Sequence, residues 1–175
     1  AERLPFRSTV AEVIGLDASS WFRTITVNRG SERGVELNAP VIAPGGLVGR
    51  VVAVGARVAR VQLLSDRDCA VGALLVRTRI RGIVSGAGQD ELEMKYVNNL
   101  EDVVPGDLVV TSGMDAIYPK GIAIGRVATV RKGPRLFKII TLEAAASLDR
   151  LEEVFVLSPV GTQDLYLKEV DAHPR

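Results

Sequence analysis

Few residues in this 175-residue chain could do chemistry: one histidine, one cysteine and some clustered carboxylates. A nucleophilic site needs its base held within about 3 Å of the nucleophile by a rigid scaffold. His173 lies almost at the C-terminal end, which is expected to fray and so could not fix a base in that way. Cys69, flanked by Asp68 and Ala70, reads as a half-buried strand entry; a catalytic thiolate would need a neighbouring base or cation. One Cys and one terminal His cannot supply a zinc shell. Asp66 and Asp68 read as a solvated turn, and Asp149, Glu152 and Glu153 as exposed charge. Gly30, Gly34, Gly45 and Gly46 lack the lysine and following helix of a phosphate loop. The expectation is a non-enzyme with no catalytic residue, no cofactor and no metal.

The elements that would position such groups are strands. Gly46-Leu47-Val48-Gly49-Arg50-Val51 returns as Ile122-Ala123-Ile124-Gly125-Arg126-Val127, each copy running on into further β-branched residues. Such residues suit a pleated surface, and an embedded glycine marks a bend or a close backbone approach. Thr26-Val27-Asn28 is echoed by Tyr96-Val97-Asn98, and Val13-Ile14-Gly15 by Ile83-Val84-Ser85-Gly86. Arg60-Val61-Gln62-Leu63-Leu64 is echoed by Lys138-Ile139-Ile140-Thr141-Leu142. The chain therefore carries one strand-rich unit twice, and two copies are too few for a solenoid.

About twelve short strands follow, spaced by turn signals such as Pro44-Gly45-Gly46 and Pro105-Gly106-Asp107. Asp17-Ala18-Ser19-Ser20 and Ser147–Glu153 are the two places that allow a helical turn. In Arg23–Asn28, Ile25 and Val27 should face inward and Thr24 and Thr26 outward. The expected fold is all-β: two tandem six-stranded antiparallel β-barrels of the chymotrypsin-like type without its catalytic residues. Residues 1–79 would form the first, 80–160 the second, and 161–175 a mobile polar tail.

Composition agrees with a globular chain, 47% hydrophobic and 25% charged. A net charge of +1 builds no field for nucleic acid. Arg77, Arg79 and Arg81 alternate and read as one wet strand face. No apolar run approaches the roughly 20 residues of a membrane helix. The chain begins at Ala1, so an anchor upstream is expected. With chemistry absent, surfaces are left. Trp21 and Phe22 cannot both point inward on a strand, so one is a contact candidate, as is the Leu92, Met94 and Tyr96 face. Exposed strand edges would offer a template for self-pairing.

Several blocks resemble the bacterial rod-shape-determining MreC family. They are Ser19–Asn28, Gly30, Gly34-Val35, Gly46–Val51, Gly106–Gly113, Pro119–Val127 and Leu151–Val154. The resemblance runs from about Ser8 to Leu157. It implies an extracytoplasmic (periplasmic) pair of barrels, anchored to the inner membrane by an N-terminal helix and a coiled-coil stalk. It also implies a scaffold of the peptidoglycan-synthesising elongation complex that self-associates as dimer or filament. Partners implied are a class B penicillin-binding transpeptidase, MreD, RodA and the MreB system. The competing reading is a degenerate protease-like barrel pair that binds peptides as a periplasmic chaperone or adaptor.

Overall fold

The computed structural model describes residues 6–19, 22–89 and 91–159. Twelve strands lie among them: β1 Phe6–Ala18, β2 Arg23–Val27, β3 Pro40–Ala43, β4 Gly46–Val54, β5 Ala59–Leu63 and β6 Ala70–Leu75. The rest are β7 Arg81–Gly86, β8 Glu91–Lys95, β9 Leu108–Thr111, β10 Ala123–Arg131, β11 Ile139–Ala144 and β12 Glu153–Pro159. They close two antiparallel six-stranded barrels, ordered β1-β12-β3-β4-β5-β2 and β10-β11-β8-β7-β6-β9. Ile25 and Val27 are buried and Thr24 and Thr26 are half-buried, the alternation expected of β2.

The duplication is real, but the division at residue 79 is not where the barrels divide. Setting β1 to β5 against β7 to β11, and β12 against β6, maps every neighbour relation of one barrel onto the other. The two repeats thus exchange their last strands. β6 ends the first repeat yet pairs with β7 and β9, whereas β12 ends the second and pairs with β1 and β3. The cause is apolar burial. Val71, Ala73 and Leu75 of β6 complete the second core, and Val154 and Val156 of β12 complete the first. Closure also leaves the barrels without the free sheet edge expected for self-pairing.

The Gly-Arg-Val signature explains itself in this frame. A Cβ on Gly49 would sit 1.8 Å from the Gln62 carbonyl oxygen, and one on Gly125 2.2 Å from that of Glu143. Only glycine lets β4 and β10 approach β5 and β11 so closely. Bulges follow at matching places, Val51/Ala53 and Val127/Thr129. The Val51 amide donates to Ala39 O at 2.9 Å and the Val127 amide to Asp107 O at 2.9 Å. Each signature arginine reaches back to the start of the preceding strand, Arg50 to Asn38 Oδ1 and Arg126 to Gly106 O. Asn38 and Gly106 both hold positive φ, 67° and 92°.

Several local expectations give way. Asp17 does not cap a helical turn; it pairs with Thr24 inside the β1–β2 hairpin. Residues 147–153 form a turn running into β12 rather than a helix, and the one helical element described is the 3-10 turn Ser31–Arg33. Arg77, Arg79 and Arg81 do not share a strand face. Arg77 lies in the β6–β7 turn, Arg79 takes φ 65°, and only Arg81 belongs to β7. The tail after residue 160, with His173, lies outside the described residues.

The barrels meet along glycine. A Cβ on Gly46 of β4 would lie 2.3 Å from Ala123 O of β10, and one on Gly86 of β7 2.2 Å from the Ser65 carbonyl carbon. Ser65 and Asp66, in the β5–β6 connection, are buried there.

Candidate interaction surfaces

The residues with chemical potential are used for structure. Asp66 Oδ2 accepts the Arg23 amide at 2.7 Å and Oδ1 the Asp68 amide at 2.8 Å, so this carboxylate ties β2 to the barrel junction. Cys69 is buried, and desolvation pushes its thiol up to about 12 against the opposing pull of Arg50. A thiol so placed stays protonated at neutral pH and packs as a small hydrophobe. The Tyr118 phenol is likewise raised, first by burial and then by Cys69. Asp107 is buried and takes Arg77 in a forked contact, Nε to Oδ1 at 2.8 Å and Nη2 to Oδ2 at 3.0 Å. Asp102 accepts from Arg77 Nη1 at 2.8 Å. Arg77 holds both carboxyls below the usual carboxylate range. Among the described residues no group of three or more His, Cys, Asp or Glu could hold a metal ion. Asp149, Glu152 and Glu153 are exposed, and the two glutamates border an open depression of about 360 Å³ with Leu151, Phe155 and Arg150.

The contact candidates separate. Leu92 and Met94 are fully buried in the second barrel and present nothing to a partner. Strand alternation groups them with Tyr96, but β8 ends at Lys95. Tyr96 takes φ 65°, which turns its ring outward to 59% exposure. Phe22 is 60% exposed beyond the β1–β2 hairpin, and Trp21 lies outside the described residues. Sequence reasoning missed Phe137 as a partner of Tyr96. Their rings meet edge to face, centroids 5.6 Å apart at 88°. It also missed Leu100 and Leu136, both exposed beside them in sequence. The repeats give no signal for the pair: the sequence echoes set Tyr96 against Thr26 and Lys138 against Arg60, whereas the strand registers set Glu93 against Thr26 and Thr141 against Arg60.

The family model described as "Rod shape-determining protein MreC, barrel core" matches residues 13–158. The chain belongs to the MreC family. It is 33% identical over 152 residues to the cell shape-determining protein MreC of Haemophilus influenzae, covering 86% of this chain and 43% of that protein. The chain thus spans under half the length of this curated MreC relative. A crystal structure of MreC from Pseudomonas aeruginosa superposes with a TM-score of 0.83 at 31% identity, covering 86% of this chain and 98% of that one. The fold is also that of the MreC in a complex between penicillin-binding protein PBP2 and MreC from Helicobacter pylori, TM-score 0.70 at 18% identity and covering 89% and 99%. No described helix is long and apolar enough to cross a membrane.

Proposed function

We propose that this chain is the extracytoplasmic barrel pair of a non-catalytic scaffold that holds the cell-elongation machinery together and so maintains rod shape. It binds a class B penicillin-binding transpeptidase and associates with copies of itself, and it works alongside MreD, RodA and the MreB system. An N-terminal membrane anchor upstream of Ala1 places the barrels in the periplasm or its equivalent.

The match of the barrel core over residues 13–158 carries this reading. Two features support it. The buried ionisable side chains Asp66 and Asp107 are consumed by structural bonds, and the Cys69 thiol is held protonated. Large apolar side chains remain on the outside, Phe22 and Tyr96 among them. With closed barrels, self-association has to run through such side-chain surfaces rather than through strand addition.

The test is depletion of the protein in its own cells, with capture on the purified barrel pair. Rounding of the cells and recovery of the transpeptidase are the expected results. Cells that stay rod-shaped, together with an eluate dominated by unfolded client proteins, would favour the chaperone reading instead.

A further inference from the structure

The second barrel carries an aromatic pair just outside its strands. Tyr96 follows β8 at positive φ, and Phe137, 40% exposed, precedes β11. A bulky residue in the left-handed region costs about 1 kcal/mol or more and persists where the surroundings over-determine it.

Here the surroundings are Asn99 and its bonds. Its Nδ2 donates to Gly133 O at 3.2 Å and Arg135 O at 2.8 Å, and its Oδ1 accepts the Gly133 amide at 3.0 Å. The backbone adds Asn99 N to Leu136 O at 2.9 Å and Lys138 N to Val97 O at 2.8 Å. Two loops are thereby stitched together, and they hold Tyr96, Leu100, Leu136 and Phe137 outward as one rim. Leu100 is 92% exposed.

Charge selects the occupant. Arg131, Lys132, Arg135 and Lys138 all lie in or beside the β10–β11 connection, which has no carboxylate. Among the described residues none of the four forms a salt bridge. The nearest acid along the chain is Glu143 on β11, exposed; Glu101 beside Leu100 is also exposed, and Asp102 is already engaged by Arg77 and close enough to Lys138 to interact with it. Aromatic and arginine side chains on a pre-organised platform are the usual anchors of a protein interface, and matched charge speeds and orients docking.

We propose that this rim of the second barrel is the docking surface for an acidic protein segment that inserts its own apolar side chain beside Tyr96 and Phe137. The inference deepens the synthase-binding reading and rests on it: the segment belongs to the transpeptidase.

The test measures binding of the intact barrel pair to the purified extracytoplasmic part of the transpeptidase from the same cells. Leu100→Glu, at a fully solvated tip, should weaken binding at least fivefold without moving the melting temperature. Tyr96→Ser with Phe137→Ser should weaken it tenfold or more, whereas Phe137→Leu alone should keep most of the affinity. Lys132→Glu with Arg135→Glu should slow association and flatten its salt dependence, whereas Leu37→Ser on the first barrel should change nothing. If the wild type fails to bind, the synthase-binding reading falls and this one with it. Rim variants that bind like wild type overturn this inference alone. So does loss of binding to anionic phosphatidylglycerol vesicles with transpeptidase binding kept, because the rim would then be a membrane contact.

Discussion

The two barrels use the same strand order, the same glycine-arginine-valine bend and the same bulges along β4 and β10, yet they differ in what they hold elsewhere. Where the first barrel has Ala39 after the Asn38 turn, the second has Asp107 after the Gly106 turn, clamped by Arg77. Within the strands the registers match Thr26 with Glu93 and Ala59 with Ile140, and it is just beyond them that the second barrel turns out Tyr96 and Phe137. What is shared is what closing a small barrel demands of the backbone. What differs lies in side chains at the rim, which closure leaves free to vary. The first barrel has its own exposed apolar residues, Ile14 and Leu16 on β1, but they are interleaved with the carboxylates of Glu12 and Asp17 rather than ringed by cations.

The largest effect should come from cutting the chain in two ways. Residues 80–160 contain one whole sequence repeat but lack β6, while β12, their last strand, belongs to the other barrel. Residues 69–150 contain all six strands of the second barrel. The fragment 69–150 should unfold cooperatively in urea, followed by circular dichroism; 80–160 should show no transition. Co-expression of 1–79 with 80–175 should recover the fold, since together they supply both exchanged strands. A cooperative transition in 80–160 alone would break the strand-exchange description.

Next in size are the signature glycines. Gly49→Ala and Gly125→Ala drive a methyl into a carbonyl oxygen of the neighbouring strand, at 1.8 and 2.2 Å. Each should cost about 3 kcal/mol or more, because backbone on both sides has to shift. Gly49→Ala should be the more severe. Equal tolerance of alanine at Gly125 would mean that the second copy keeps the signature for another reason.

How much of this was legible beforehand divides along the same line. The bends were readable because glycine inside a valine run has few explanations, and twelve strands were readable from alternation and turns. Pairing across the repeats was not. Val71 and Val156 look alike as apolar strand residues, and nothing local says which core will bury them. The rim was half readable. Tyr96 stands out as a candidate, but alternation places it with Leu92 and Met94, since positive φ at a tyrosine leaves no mark in composition. Phe137 reads as core, because the loop bonds of Asn99 that border it leave no pattern in the sequence.

A middle-sized effect should separate the barrels by pH. The Arg77 guanidinium holds the Asp107 carboxyl below the usual carboxylate range, with burial opposing it. A carboxyl depressed in the folded state contributes stability above its unfolded pKa of about 4 and loses it as pH falls through the lower folded value. Asp107→Asn should therefore cost about 1–2 kcal/mol at pH 7, the range for a charged hydrogen bond that is half solvated on the arginine side. The difference from wild type should shrink as pH drops below 4. An unchanged gap at low pH would mean that Asp107 acts through shape, for instance through the Val104 amide that Oδ2 accepts at 3.0 Å.

The smallest effect is the most pointed, because it asks whether stability or function keeps the tyrosine. Thr26→Gly and Tyr96→Gly each remove one side chain that lies outside the cores, one from each barrel. In β2, glycine loses a β-branched residue from a paired strand, at a cost of about 0.5–1 kcal/mol. At Tyr96 the same change relieves the positive φ while losing the edge-to-face contact with Phe137. Those two terms are each about 1 kcal/mol and of opposite sign, so denaturant midpoints should move for Thr26 and stay within error for Tyr96. A fold indifferent to the tyrosine, beside a partner that is not, locates the selection on the outer surface. If Tyr96→Gly instead destabilises by 2 kcal/mol or more, the ring is structural and the rim loses its main argument.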